Sequence, residues 1–392
     1  MKRKGIYDLR FAIYDLLFKN AAAPFRAGVS AGRLYFTLLF LFFFKISFSQ
    51  TNDSTQGTFS INAHLHYGYL VPHRPSMIGL LTGHTVGFEL DFIKTSDGSK
   101  TFERAYNYPE LGISYCYFNV GNEKVLGEAQ AVYPFVSFPL ARNKHLQFNL
   151  RVGGGLGYIQ KSFDRYENFK NNAIGSHLNG VMSLRAELQC KISMRSKLGF
   201  QWGLTHWSNG SAAIPNLGIN VTTMSLSYQH YFGKQQKINR DTLSAVVKKI
   251  RTSFYVAAFH KEIIPAGGDK YFVSTIYGNV GKVLSHKSTL GGGIDIFYNA
   301  AIIESLKRQD ETTKPIDAWR MGLHVSYMLS ISDFDMVFEN GVYVFGQLDG
   351  DTYLYTRLGM RQKIAKHIFL CVNLKTHFAK ADFFEFGIGY ER

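Results

Sequence analysis

Two stretches of this sequence alternate so strictly that they decide what the chain can fold into. Over 146–158 the even positions are Leu146, Phe148, Leu150, Val152, Gly154, Leu156 and Tyr158, and the odd ones Gln147, Asn149, Arg151, Gly153, Gly155 and Gly157. Over 178–192 the even positions are Leu178, Gly180, Met182, Leu184, Ala186, Leu188, Cys190 and Ile192, and the odd ones include Asn179, Ser183, Arg185, Glu187, Gln189 and Lys191. A period of two belongs to a β-strand, whose successive side chains point to opposite faces. The charges say which face is inside. An Arg in the middle of a lipid-facing strand costs ~2–4 kcal/mol. Inside a narrow barrel Arg151, Arg185 and Glu187 can pair and hydrogen-bond. The polar set therefore faces a lumen and the apolar set faces lipid.

Runs of this kind follow one another from residue 59 onward. Eight cover 59–71, 84–95, 109–119, 125–141, 146–161, 176–193, 196–209 and 219–232. Eight more cover 252–262, 270–283, 287–299, 318–331, 335–347, 351–363, 367–377 and 382–391. The expected class is all-β, a transmembrane antiparallel barrel protein. Eight strands, a break and eight strands suggest a duplication into two eight-stranded barrels, with one 16-stranded barrel as the alternative. The units are a leader (1–49), a first barrel (50–232), a periplasmic linker (233–251) and a second barrel (252–392). Within the linker, Leu243, Val246, Val247 and Ile250 stand at helical spacing and predict a short amphipathic helix. Turns at 142–145 and 194–195 are short, as periplasmic turns are, and 162–175 is long, as an extracellular loop is. The 95–108 connection is long for the periplasmic side, and the pattern gives no reason for it. Inward Arg151, Arg185, Glu187, Tyr353, Tyr355 and Arg357 suit plugged, narrow barrels rather than a pore. The Gly153–Gly155 run reads as room for tight curvature.

Composition agrees. Aromatic residues make up 15% of the chain, with 37 Gly and 9 Pro, as suits aromatic strands. Leu34–Phe44 is an 11-residue apolar run after Arg26 and Arg33, too short for an anchor and suited to a secretory signal cleaved near Ser49 or Gln50. Of the net charge of +15, about +6 sits in residues 1–50. The remaining excess suits anionic lipid headgroups, and no nucleic-acid motif is present. Cys116, Cys190 and Cys371 are far apart and read as apolar filler. His64 and His66 read as lumen filling rather than as a metal pair.

One strand carries chemistry. Phe200, Trp202, Leu204, His206 and Ser208 share the greasy parity, opposite Gln201, Gly203, Thr205, Trp207 and Asn209. Asn220, Thr222, Met224, Leu226 and Tyr228 share the lipid-facing parity of the next strand, so His206, Ser208 and Asn220 can converge across the hairpin. A Ser hydroxyl needs an adjacent base, His supplies one near neutral pH, and a third group must orient it. Asn209, Asn216 and the backbone N–H groups of Gly210 and Ser211 are candidate oxyanion donors. The string His206-Trp-Ser208-Asn209-Gly210, followed by Pro215-Asn216-Leu-Gly218-Ile-Asn220, resembles the signature of the outer-membrane lipid A 3-O-deacylases, the PagL family. The resemblance spans about 59–232. It implies an eight-stranded barrel with its site on the outer wall and hydrolysis of an ester-linked acyl chain of lipid A, with no metal and no cofactor. By motif position His206 is the base, Ser208 the nucleophile and Asn216 an oxyanion-stabilising residue. The acid position holds Asn220 in place of Glu. An asparagine can orient a catalytic histidine, as in Cys–His–Asn sites.

The expectation is thus a serine-type ester hydrolase of the bacterial outer membrane, with lipopolysaccharide and outer-leaflet lipids as partners and a homodimer possible. The competing reading is a non-enzymatic surface barrel with a degenerate site. The second half carries Lys375, Thr376 and His377 at the matching strand end but Ala379 where a serine would be needed, so it is expected to lack this chemistry.

Overall fold

The computed structural model describes residues 55–56, 58–233, 236–346, 352–378 and 380–392. The expected leader, 1–49, and Ala379 lie outside them. Strands β1 (Thr55–Gln56) and β10 (Gln236–Lys237) form a two-residue antiparallel ladder. The first ring contains β2 (Phe59–Leu70), β3 (Thr85–Lys94), β4 (Glu110–Asn119), β5 (Glu128–Arg142), β6 (Leu146–Ile159), β7 (Leu178–Lys191), β8 (Ser196–Ser208) and β9 (Ile219–Phe232). It closes where Phe59 pairs with Phe232 and Leu70 with Val221. The second contains β11 (Ile250–Glu262), β12 (Lys270–Val283), β13 (Ser288–Asn299), β14 (Trp319–Ile331), β15 (Phe334–Phe345), β16 (Leu354–Lys363), β17 (Ile368–His377) and β18 (Lys380–Glu391). It closes through β11 and β18. The fold is two closed eight-stranded antiparallel barrels, and the single 16-stranded ring does not form.

The lumens explain why the rings are small. In the first, Arg151 bonds Asp91 at 2.6 and 2.8 Å and Glu89 at 2.8 Å, while Arg185 bonds Glu89 at 2.9 Å and Thr205 at 3.0 Å. In the second, Arg357 contacts Glu339 at 2.5 Å, Glu385 at 2.8 Å and Asp295 at 3.1 Å. Each guanidinium is buried but ringed by carboxylates, the condition under which a buried charge is tolerated. The interior is a plug of ion pairs and aromatic rings. A Cβ on Gly153 would lie 2.7 Å from the Tyr133 ring, so the glycine run makes room for that lumen side chain. His64 and His66 do fill the lumen, at Asp91 (2.8 Å) and Thr223 (3.0 Å). His64, Glu89 and Asp91 cluster tightly enough to suggest a cation site, but two guanidiniums already occupy these carboxylates. The three cysteines are free thiols, two of them buried.

Two sequence expectations need correction. Tyr353 is 68% exposed, because β16 begins at Leu354 and alternation constrains a side chain only inside the strand; Tyr355 and Arg357 do face inward. The helix expected in the linker is absent, and 238–249 runs irregularly. An isolated helix this short is marginal, and the segment's groups bond the barrels instead. The Asn239 N–H donates to Asp97 O (2.7 Å), Tyr108 Oη donates to Asn239 O (3.0 Å), His286 Nε2 donates to Ser244 O (2.8 Å) and Val283 N–H donates to Lys249 O (3.0 Å). The unexplained 95–108 connection thereby acquires a reason. It carries the short helix Thr101–Ala105, docks on the linker, and places the Tyr106 ring 5.1 Å from Lys287 Nζ of the second barrel.

Apart from 95–109, the connections at this end of the first barrel are the tight turns 143–145 and 192–195. The opposite end carries the longer loops 71–84, 160–177 and 209–218. The candidate site lies at that long-loop end.

Candidate active site

The alternation of β8 sets the site. Leu198, Phe200, Trp202 and Leu204 are exposed on the outer wall, while Gln201, Thr205 and Trp207 are buried in the lumen. His206 and Ser208 continue the outward parity. The ladder pairs His206 with Asn220 on β9 and with Met182 on β7, and pairs Ser208 with Gly180.

His206 Nδ1 lies 2.6 Å from Asn220 Oδ1. A carboxamide oxygen only accepts, so Nδ1 carries the proton and the neutral ring keeps its lone pair on Nε2. That is the tautomer a general base needs. Asn220 could also present its amide nitrogen, which would impose the wrong tautomer. In the structure that nitrogen is turned the other way, toward the 71–84 loop, where Asn220 Nδ2 lies 2.9 Å from His73 Nδ1. The loop is pinned there by the bond from Val71 N–H to Asn220 O, 2.8 Å. The imidazole of His206 rests on Gly218, whose φ is +83°. A Cβ at that position would stand 2.6 Å from His206 Cε1, so the site requires a glycine for both space and backbone angle.

Ser208 is buried beside the 209–218 loop. Its Oγ accepts from Asn216 Nδ2 (3.0 Å) and from the Gly210 N–H (3.3 Å). Asn216 is held in turn, its Oδ1 accepting the Asn209 N–H at 3.1 Å. The Asn209 side chain is tied to Ser176 Oγ at 2.8 Å and supports the loop instead of pointing at Ser208. Two N–H donors thus converge on the hydroxyl oxygen. In this resting arrangement Oγ is held by those donors and not by His206; rotation about χ1 is what would bring it toward Nε2. Gly210 and Ser211 are left-handed, at φ +59° and +64°. For serine this conformation is disfavoured by about 1–2 kcal/mol, so contacts elsewhere must hold it.

All six site residues read from the sequence, His206, Ser208, Asn220, Asn209, Gly210 and Asn216, meet within one hairpin and its loop. His73 was not legible, because it arrives from a loop more than a hundred residues away in sequence. A histidine beside Pro72 just past the end of β2 is the only sequence hint. The matching end of the second barrel is different: His377 faces the lumen and bonds Tyr343 Oη at 2.9 Å.

Residues 86–229 match the model of the lipid A 3-O-deacylase (PagL) family, and residues 250–391 match that of the acyloxyacyl hydrolase C-terminal domain, PagL_C. The chain belongs to the PagL family. That family is one of lipid A deacylases, hydrolases by class, and together with the barrels it points to the bacterial outer membrane. No curated protein matches the chain. Among solved structures, a mutant porin from Rh. blastica aligns at 9% identity over 85% of this chain and 99% of its own, with TM-score 0.18. The Acinetobacter baumannii outer membrane protein Omp33 aligns at 8% identity over 86% of this chain and 97% of its own, with TM-score 0.16. Scores this low carry no argument about the site.

Proposed function

We propose that this PagL-family chain is a serine-type lipid A esterase working at the outer leaflet of the outer membrane. The reading is carried by one observation: on the outward face of the wall, Asn220 fixes His206 in the tautomer that leaves Nε2 free to act as a base, with Ser208 two residues along the same face. The long-loop end, which carries the site, is the extracellular end in this proposal, and the 34–44 apolar segment serves export. Lipid A then meets the site laterally, from the bilayer.

The Ser208 hydroxyl turns from Gly210 and Asn216 toward His206, whose Nε2 takes its proton as Oγ attacks the ester carbonyl. Its departure frees the Gly210 N–H and the Asn216 amide to receive the negative oxygen of the tetrahedral intermediate. When the intermediate collapses, the imidazolium returns the proton to the departing sugar oxygen, leaving the acyl group on Ser208. Water, deprotonated by the same imidazole, attacks the acyl carbonyl; the acyl–Oγ bond breaks, the imidazolium returns the proton to Ser208 Oγ, and the fatty acid leaves. Asn220 stabilises the imidazolium through a dipole instead of a full charge, a weaker aid than the Glu of the family signature.

The test is incubation of purified protein with lipid A followed by mass spectrometry. The wild type should remove one hydroxyacyl chain and Ser208→Ala none. Identical spectra for the two would leave the competing reading, a surface barrel without activity.

A further inference from the structure

We infer that the second barrel is a working part of the first barrel's active site, with Glu262 and Phe384 as positioning residues that hold the 209–218 loop and so aim its N–H donors. The inference rests on reading Ser208 as the nucleophile.

The loop is tied to the second ring at several points. The Glu262 backbone N–H, at the end of β11, donates to Ser211 O at 2.8 Å. The Glu262 carboxylate accepts the Ile214 N–H at 3.3 Å while also accepting Gly268 N–H at 3.2 Å from its own hairpin. Ser211 Oγ donates to Ala381 O, three residues before Phe384 on β18, at 3.3 Å. A neighbouring strap runs from Arg165 Nη2 to Ala266 O, 2.8 Å. Two of these bonds, from the Glu262 N–H and to Ala381 O, fall on Ser211, the residue whose left-handed backbone needs outside support. A strained backbone persists only where its surroundings over-determine it. Ser211 follows the Gly210 donor directly, and Asn216 lies five residues beyond it. Releasing Ser211 and Ile214 lets both donors drift from Oγ.

Phe384 supplies the packing half of the clamp. A Cβ on Gly210 would lie 2.3 Å from its ring, and one on Gly180, which pairs with Ser208, would lie 3.0 Å from it. The first barrel presents glycines where the second inserts an aromatic ring. Phe259 braces that ring edge-on, with centroids 6.0 Å apart. At the matching strand end of the second barrel His377 is turned into the lumen, so the first barrel's outward His–Ser arrangement is not repeated there among the described residues. The second barrel's contribution to the chemistry is therefore support.

The experiment uses the full protein in lipid nanodiscs, comparing wild type with Glu262→Ala and Phe384→Ala by hydrogen exchange and by Ser208-dependent ester hydrolysis. Amides of 209–218 should exchange about tenfold faster in each variant, with β11–β18 still protected. The kcat should fall by about tenfold to 10²-fold, with KM within about twofold of wild type. Phe384→Leu, which keeps an apolar side chain in the contact, should recover most of both. Exchange and kcat within about twofold of wild type in both alanine variants would overturn the inference. If the wild type shows no Ser208-dependent hydrolysis, the functional reading fails while exchange still decides whether the clamp exists.

Discussion

In the proposed mechanism the histidine that serves as base, His206, is oriented by a carboxamide rather than by a carboxylate. In that mechanism Asn220 takes the place a carboxylate usually fills, with its amide nitrogen engaged by His73 at 2.9 Å. Replacing Asn220 by Ala should lower kcat by about 10³ to 10⁴, because the tautomer is no longer imposed. His73→Ala should produce a smaller fall, about tenfold, because Asn220 then samples both amide orientations. Steady-state kinetics on lipid A distinguishes the two; equal losses would mean that His73 does more than orient. Gly218→Ala should be nearly as severe as loss of the base, since the methyl group enters the space of His206 Cε1. The motif letters His206, Ser208, Asn216 and Asn220 were legible because a hairpin brings near neighbours in sequence together. His73 was not, because a contact between two loops leaves no periodic trace. Gly218 was legible as a letter, but its reason, the imidazole lying on it, appears only in three dimensions.

At the scale of the strand, parity is the rule that places everything else. It fixed the ends of nearly every strand to within a few residues and turned His206 and Ser208 outward, because a one-residue slip would put Arg151 and Arg185 against lipid. It failed where there is no strand, at Tyr353, which precedes β16; the separate reading of a helix from the spacing of Leu243, Val246, Val247 and Ile250 failed because 238–249 bonds two barrels and runs irregularly. Leu226, 69% exposed in the middle of β9, provides the test. Leu226→Arg should destabilise the barrel by ~2–4 kcal/mol in bilayer refolding. Its lumen-facing neighbour change Ser225→Ala, which removes one hydrogen bond to Gln201, should cost about 1 kcal/mol. Equal costs would contradict the assignment of faces.

The whole molecule is two plugged cylinders laced together at both ends. Tyr106, the linker and Lys287 join them at one end, and Glu262, Ser211 and Phe384 at the other. Each plug stands by itself. Arg357 contacts three carboxylates at once, so Arg357→Ala should destabilise the second barrel by about 3–5 kcal/mol, read as a lower unfolding midpoint of β11–β18. The duplication was legible because eight runs, a break and eight runs repeat the count. That the second half lacks the His–Ser pair was legible too, from Ala379 after His377; the contacts that tie the halves together were not, since they join chain segments about fifty to two hundred residues apart. What binds residue, strand and molecule together is the claim that Ser208, facing out of the wall, is the nucleophile activated by His206. An alkyl fluorophosphonate applied to the membrane-embedded protein, followed by peptide mass spectrometry, tests it most directly. The adduct should fall on Ser208 and disappear in His206→Ala. An unlabelled Ser208, or labelling that does not depend on His206, would contradict it.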